Sequence, residues 1–276
     1  MTTPSHRQPP SPADAGPPAG RVDPALADRL TDAVLLAGLP VAFGDQGPGV
    51  RIRPARPVDD RDRCQGVAAL DWLPSPRLTG AAAMAEPGQA AGSARDLVAT
   101  AMENALAEFL PAFGLETGRD RVGRELRVDG RAAVDGALRV PPGVLVARPA
   151  GPTPVELGLP AGVVGTVRRS AALAGLPLAP HLGATGVTLA RCAPTGGTGD
   201  RDGAADLGWN PSRGLADLAG SDLPEAARAA TARSAVNGAM RHALGMALRA
   251  CGAELRWLHA HQLLRVYGEA APTIRH

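Results

Sequence analysis

The run Pro194-Thr195-Gly196-Gly197-Thr198-Gly199-Asp200-Arg201 follows an apolar stretch that ends in Leu189-Ala190-Arg191-Cys192. Glycines at such a transition let backbone N–H groups converge on an anion, and the Thr195 and Thr198 hydroxyls add donors. Arg201 could clamp a phosphate or carboxylate through two parallel hydrogen bonds. Thr195, Gly196, Gly197, Thr198, Gly199 and Arg201 are therefore the candidate ligand-binding residues, for a small molecule bearing a phosphate or carboxylate. The competing reading is a surface loop, which the Gly and Asp content also suits.

Three other groupings could carry chemistry. His259-Ala260-His261 would put two imidazoles on one strand face, with Trp257 and Leu263, and such a pair could serve a borderline metal such as zinc. No H-E-x-x-H spacing accompanies it, and ordinary strand histidines explain it equally. Cys192, with His181 eleven residues earlier, is a conceivable thiol–imidazole pair, although free cysteine more often packs as a small hydrophobe. Asp59-Asp60-Arg61-Asp62 has the acids of a magnesium site, but Arg56, Arg61 and Arg63 neutralise them, as on a solvated loop.

Two short strings resemble known families. Thr195–Gly199 followed by Arg201-Asp202 is similar to the anion loop of molybdopterin-biosynthesis proteins of the adenylyl-transfer type, and the resemblance implies a phosphate site there. Its Arg-Asp pair comes sooner after the glycines than in that family, and no acidic helix follows. Thr100–Glu108 is similar in rhythm to the first helix of YcaO-type peptide cyclodehydratases. Asn104 and Ala107 stand where that family has glutamates that hold Mg-ATP, so the resemblance implies a shared helix without its chemistry.

Composition removes whole classes of function. The chain has 276 residues and a formal charge of +2, and no lysine occurs in it. It cannot form an internal Schiff base, so pyridoxal phosphate held that way is excluded as a cofactor. The P-loop, the usual protein-kinase signature and class A β-lactamase chemistry all need the missing lysine. Arginine stays charged at any working pH and supplies no amine base. The bias toward Ala, Gly, Pro and Arg suits a GC-rich bacterial coding sequence. Arginines alternate with acids rather than with aromatics, so no nucleic-acid partner is expected. Three scattered cysteines without a C-x-x-C fit a reducing compartment. No signal peptide and no long apolar stretch is read in the chain, so the cytoplasm is expected and a membrane is not.

The elements that would position these residues follow from pattern. Residues 1–22 read as a Pro/Ser/Ala-rich disordered tail, 23–270 as a single globular α+β domain and 271–276 as a second tail. Asp23-Pro24 opens a helix carrying Leu26, Leu30, Val34 and Leu35, which stops at Gly38. Val50–Arg53 alternates as a strand, and 66–72 is another. Ser93–Phe113 carries Val98, Met102, Leu106, Phe109 and Phe113 along one helical stripe. Strands are expected at 125–128, 136–148, 163–167, 184–192 and 254–266. Between them, 193–222 reads as loop with a short helix near 213–218. Asp222-Leu223-Pro224-Glu225 reads as a capping box before a long helix to Ala250, notched by Gly238, Gly245 and Gly252. No repeat is visible at a period of 20–50 residues.

The expected architecture is α+β or α/β: helices packed on a mixed, largely antiparallel sheet, with a long C-terminal helix followed by a strand. Two functional readings remain open beside the anionic-ligand enzyme or binding protein. One is a non-catalytic interaction or accessory protein, as a homo-oligomer. The other is a metal-dependent enzyme using His259 and His261.

Overall fold

Asp23 caps the first helix through its carboxylate, which accepts the amide of Ala25, and Pro24 takes the first helical position. In the computed structural model, α1 then spans Pro24–Leu36, and Gly38 turns the chain out at φ +86°. The structure describes residues 21–44, 47–56, 67–85, 90–120, 125–130, 138, 158–181, 183–192, 203–259 and 262–269. After α1 come β1 (Val41–Ala42), β2 (Gly49–Pro54), β3 (Val67–Leu73), α2 (Pro76–Met84) and α3 (Ala90–Phe109). A 3-10 turn at Leu110–Phe113 leads into β4 (Glu116–Arg119) and β5 (Leu126–Asp129). The rest of the chain contributes α4 (Ala161–Ala174), β6 (Gly186–Ala190), β7 (Ala205–Asn210), α5 (Arg213–Ala219), α6 (Ala226–Ala250), β8 (Ala253–Leu258) and β9 (Leu263–Glu269).

These elements make an α+β fold with two mostly antiparallel sheets, ordered β1-β2-β3-β5-β4 and β6-β7-β9-β8. The short β1 is parallel to β2, and an isolated parallel bridge from Leu178 to Val187 takes the same place beside β6. α3 and α6 pack against each other more extensively than any other pair of elements, α3 against β3 and α6 against β7 and β8. One cluster of buried apolar residues runs through both sheets and the helices.

The second half repeats the first. Leu-Ala-Gly-Leu-Pro-Val-Ala at 36–42 returns as Leu-Ala-Gly-Leu-Pro-Leu-Ala at 173–179, an interval of 137 residues. At the same interval Gly49-Val50 matches Gly186-Val187, and Leu70, Trp72, Pro74, Ser75 match Leu207, Trp209, Pro211, Ser212. Leu-Arg-Val-Asp-Gly at 126–130 returns one residue later as Leu-Arg-Val-Tyr-Gly at 264–268. Strand register follows suit: Val50 pairs Trp72 as Val187 pairs Trp209, and Leu70 pairs Leu126 as Leu207 pairs Leu264.

The two copies hold each other reciprocally. Trp72 Nε1 donates to the carbonyl of Ala174 at 2.9 Å, and Trp209 Nε1 donates to that of Ala37, the matching residue, at 2.8 Å. The amide of Ser75 donates to Leu173 O and that of Ser212 to Leu36 O. Each of these serines also caps its own helix, at the amides of Leu78 and Leu215. When residue i meets j and the copy of j meets the copy of i, the halves are related by an approximate two-fold axis, as in an isologous dimer. The arrangement also explains two glycines. A side chain at Gly49 would lie 2.6 Å from Pro40 O, and one at Gly186 would clash with Pro177 O, both at positive φ.

Several elements differ from the sequence reading. Residues 163–167 are helix, not strand: Val163, Val164, Val167, Ala171 and Ala174 are buried at helical spacing on α4. A short apolar run looks the same in either state. Residues 254–266 are not one strand but the two arms of a hairpin, β8 and β9, and Gln262 takes φ +51° between them. The stretch read as loop after Gly203 contains β7, the second strand of its sheet. α6 begins at Ala226 with no side-chain cap at Glu225, so the acidic capping box does not form. Helix α3 gives way to 3-10 geometry after Phe109, where Pro111 cannot donate. The expected strand at 136–148 falls outside the described residues, Leu138 apart.

Candidate ligand cleft

Helix α4 enters from Leu159-Pro160, and its N-cap Pro160 has no side chain able to accept a hydrogen bond from the first turn. Gly162, Gly165, Thr166 and Arg169 follow at the spacing that places residues on one helical face. Added side-chain bulk at Gly162 would meet nothing within 4 Å, and at Gly165 only Arg169. The face is therefore hollow where most helices carry side chains. Across from it runs the end of β9, with Tyr267, Gly268 and Glu269. Between them lies a surface cleft of about 380 Å³, closed on a further side by Gly203.

The polar groups of the cleft are few. Arg169 Nη2 donates to Glu269 Oε2 at 3.0 Å and to Thr166 Oγ1 at 3.4 Å. Both partners of the ion pair are mostly exposed, at 61% and 71% of their side-chain surface. Water competes for such a pair, so it holds little free energy and exchanges partners easily. Thr166 itself is buried. The first-turn amides and the positive end of the α4 dipole add donors, and the first turn itself carries no acidic side chain.

Elsewhere the described half-buried charges of the two sheets are paired with one another. On the first sheet Arg53 donates to both Asp71 and Glu125, and Arg51 also donates to Asp71. Hydrogen bonding to Asp71 is the largest influence on Arg53 and holds its proton more firmly still. Burial pushes the Asp71 carboxyl up, but the hydrogen bonds and charges of Arg53 and Arg51 together bring it below the usual carboxylate range. Glu103 goes the other way: burial raises it, despite a bond from the Trp72 amide and the nearby Arg119. On the second sheet Arg265, with no exposed surface, donates to Asp206 at 2.7 Å.

The sequence-predicted residues fare differently. Thr195, Gly196, Gly197, Thr198, Gly199 and Arg201 lie outside the described residues, as do Asp59–Asp62 and Cys64. Gly203, the first described residue after that loop, stands on the wall of the cleft. His259 lies in the β8–β9 turn, edge-on to Trp257 with ring centroids 6.0 Å apart, and His261 is outside the described residues. The face-sharing argument for that pair fails, because the strand ends at Leu258. His181 sits before β6 with Nδ1 buried and making no hydrogen bond, so that nitrogen does not activate Cys192. Cys192 and Cys251 carry no disulfide, and burial pushes the Cys251 thiol up to about 11. Among the described residues no group of three or more His, Cys, Asp and Glu side chains could hold a metal ion. Among them too, no helix is long and apolar enough to cross a membrane.

Sequence reasoning missed Thr166, Arg169, Tyr267 and Glu269. Reading 163–167 as a strand concealed the face that joins Gly162, Gly165, Thr166 and Arg169. Comparison with other proteins adds nothing to this site: no protein-family model matches the chain, and neither a curated protein nor a solved structure is similar to it.

Proposed function

We propose that the protein binds a small molecule carrying a phosphate or carboxylate in the cleft between α4 and β9, and that Thr195–Arg201, the sequence segment leading to Gly203, contributes to holding it. The observation that carries this reading is Gly203. It ends the glycine-rich segment and lines the same cleft as the first turn of α4 and Arg169. The first turn of α4 and the Arg169 guanidinium meet in this cleft, and a helix N-terminus beside a guanidinium favours an anion.

The test is thermal unfolding of the full chain with inorganic phosphate, nucleotides, coenzyme A and simple carboxylates at up to millimolar excess. A ligand that binds only the folded state raises the midpoint, by about 2.7 kcal/mol of stability at a hundredfold excess over Kd. Arg169→Met and Arg201→Met should each reduce that shift. If no anion moves the midpoint of the unsubstituted chain, the proposal is wrong.

A second reading has its own support. The reciprocal contacts between halves make the chain a single-chain counterpart of a symmetric dimer, a frame suited to a non-catalytic interaction or accessory protein. The glycine notches expected to mark a contact face are unequal: a side chain at Gly245 would lie 3.6 Å from Leu264, whereas one at Gly238 would meet nothing within 4 Å. Light scattering tests for self-association, and a monomer at all concentrations would remove the homo-oligomer from this reading. The metal-dependent alternative through His259 and His261 keeps no supporting observation among the described residues.

A further inference from the structure

The two halves allow the cleft to be compared with its own copy. In the first half the matching space lies between α1 and β5. There Arg29 fills it: Nη2 donates to Gly114 O at 3.0 Å and Nη1 to Gly130 O at 3.3 Å. At the repeat interval Arg29 corresponds to Thr166, and Asp28 beside it corresponds to Gly165. Gly114 and Gly130 correspond to Gly252 and Gly268, and Gly268 lines the cleft. The second copy has thus kept the glycines whose carbonyls receive a guanidinium, and has replaced the guanidinium by a short hydroxyl side chain.

Resting on the anion-binding reading of the same cleft, we propose that its ligand also carries a guanidinium or a primary ammonium, and so is a small zwitterion such as an arginine-like amino acid. Carbonyl oxygens only accept hydrogen bonds, so whatever replaces Arg29 must be a donor. Glu269 lies at the rim of the cleft and adds a negative charge there. Arg169 is paired with Glu269. A zwitterion resolves that competition: its cationic end takes Gly268 O and Glu269, and its carboxylate takes Arg169 and the first turn of α4. No charge is then left without an opposite partner. The cleft of about 380 Å³ has room for a free amino acid of this length.

Isothermal titration calorimetry of the full chain separates the two ideas. The probes are L-arginine, agmatine, L-citrulline and inorganic phosphate. Arginine should bind. Citrulline, which has the same shape with an uncharged urea, should bind at least tenfold more weakly, and agmatine, which lacks the carboxylate, should also bind more weakly. Glu269→Gln should weaken arginine severalfold and, by releasing Arg169 from its ion pair, bind phosphate at least as tightly as the parent. Thr166→Arg should abolish arginine binding and raise the unfolding midpoint, because its guanidinium takes the place that Arg29 has in the other half.

The zwitterion proposal is overturned if citrulline equals arginine, or if phosphate binds while arginine neither binds nor competes; the anion reading survives the second result. Thr166→Arg that folds but binds arginine unchanged also overturns it. If neither phosphate nor arginine gives heat at millimolar concentration, both readings fall together. The comparison of arginine with citrulline uses the unsubstituted protein, so it decides even if Thr166→Arg does not fold.

Discussion

Replacing Trp72 or Trp209 by phenylalanine tests whether the two halves hold each other as the symmetry requires. Each indole is nearly buried, at 2% and 6% exposure, and each N–H donates across the halves to a helix-end carbonyl. Phenylalanine keeps most of the ring but removes the donor, leaving the Ala174 or Ala37 carbonyl buried without it. An unsatisfied buried acceptor costs about 1–3 kcal/mol. The smaller ring adds a modest cavity term, so each variant should lose roughly 2–4 kcal/mol. For a chain of this size that lowers the thermal midpoint by about 5–12 °C. Chemical denaturation followed by far-ultraviolet circular dichroism measures it without relying on tryptophan fluorescence. The two losses should agree within a factor of two, since the two bonds are copies. The reasoning is refuted if either variant stays within about 0.3 kcal/mol of the parent, or if one loses several times what the other does.

Four further outcomes are expected. Gly49→Ala and Gly186→Ala should each destabilise by more than about 1 kcal/mol, measured by urea midpoint, because each adds a Cβ at positive φ against a proline carbonyl. Asp206→Asn should cost about 3–5 kcal/mol by leaving the Arg265 charge without its carboxylate, and Asp206→Leu with Arg265→Met should recover much of that loss in the same assay. The depressed Asp71 carboxyl contributes stability above its unfolded value near pH 4, and that stability is lost as pH falls through the lower folded value. Asp71→Asn should therefore flatten the acid limb of a stability–pH curve. Glu103 has the opposite sign: its raised folded value makes ionisation a cost at neutral pH, so Glu103→Gln should raise the midpoint at pH 7 and lose that advantage at pH 4.

How much of this was legible in the sequence depended on how local the signal was. Asp23-Pro24 and Gly38 bound α1 because caps act within a few residues. Val50–Arg53 alternates because Val50 and Ile52 pack toward the core while Arg51 and Arg53 reach Asp71 from the other face. The hairpin at Gln262 was not legible, since His-Ala-His-Gln contains neither Gly, Pro nor Asn to announce a turn. α4 was misread because Val163-Val164 and Val167 alone do not separate a period of two from one of 3.6. The duplication was legible all along in Leu-Ala-Gly-Leu-Pro and Leu-Arg-Val-x-Gly, but at an interval of 137–138 residues rather than the 20–50 of stacked repeats. The cleft could not be seen, because it is made by what is missing from α4 relative to α1, and only aligned halves show that.

The replacement of Arg29 by Thr166 has a consequence for how such a molecule can change. In a dimer of identical chains every substitution appears twice, so a plug cannot be withdrawn on one side and kept on the other. Joining the copies removes that restriction. The tether also holds each half at high local concentration beside its partner, so a substitution that loosens one side does not release it. One half can then keep Arg29 as a brace while the other, freed of it, is left open to change.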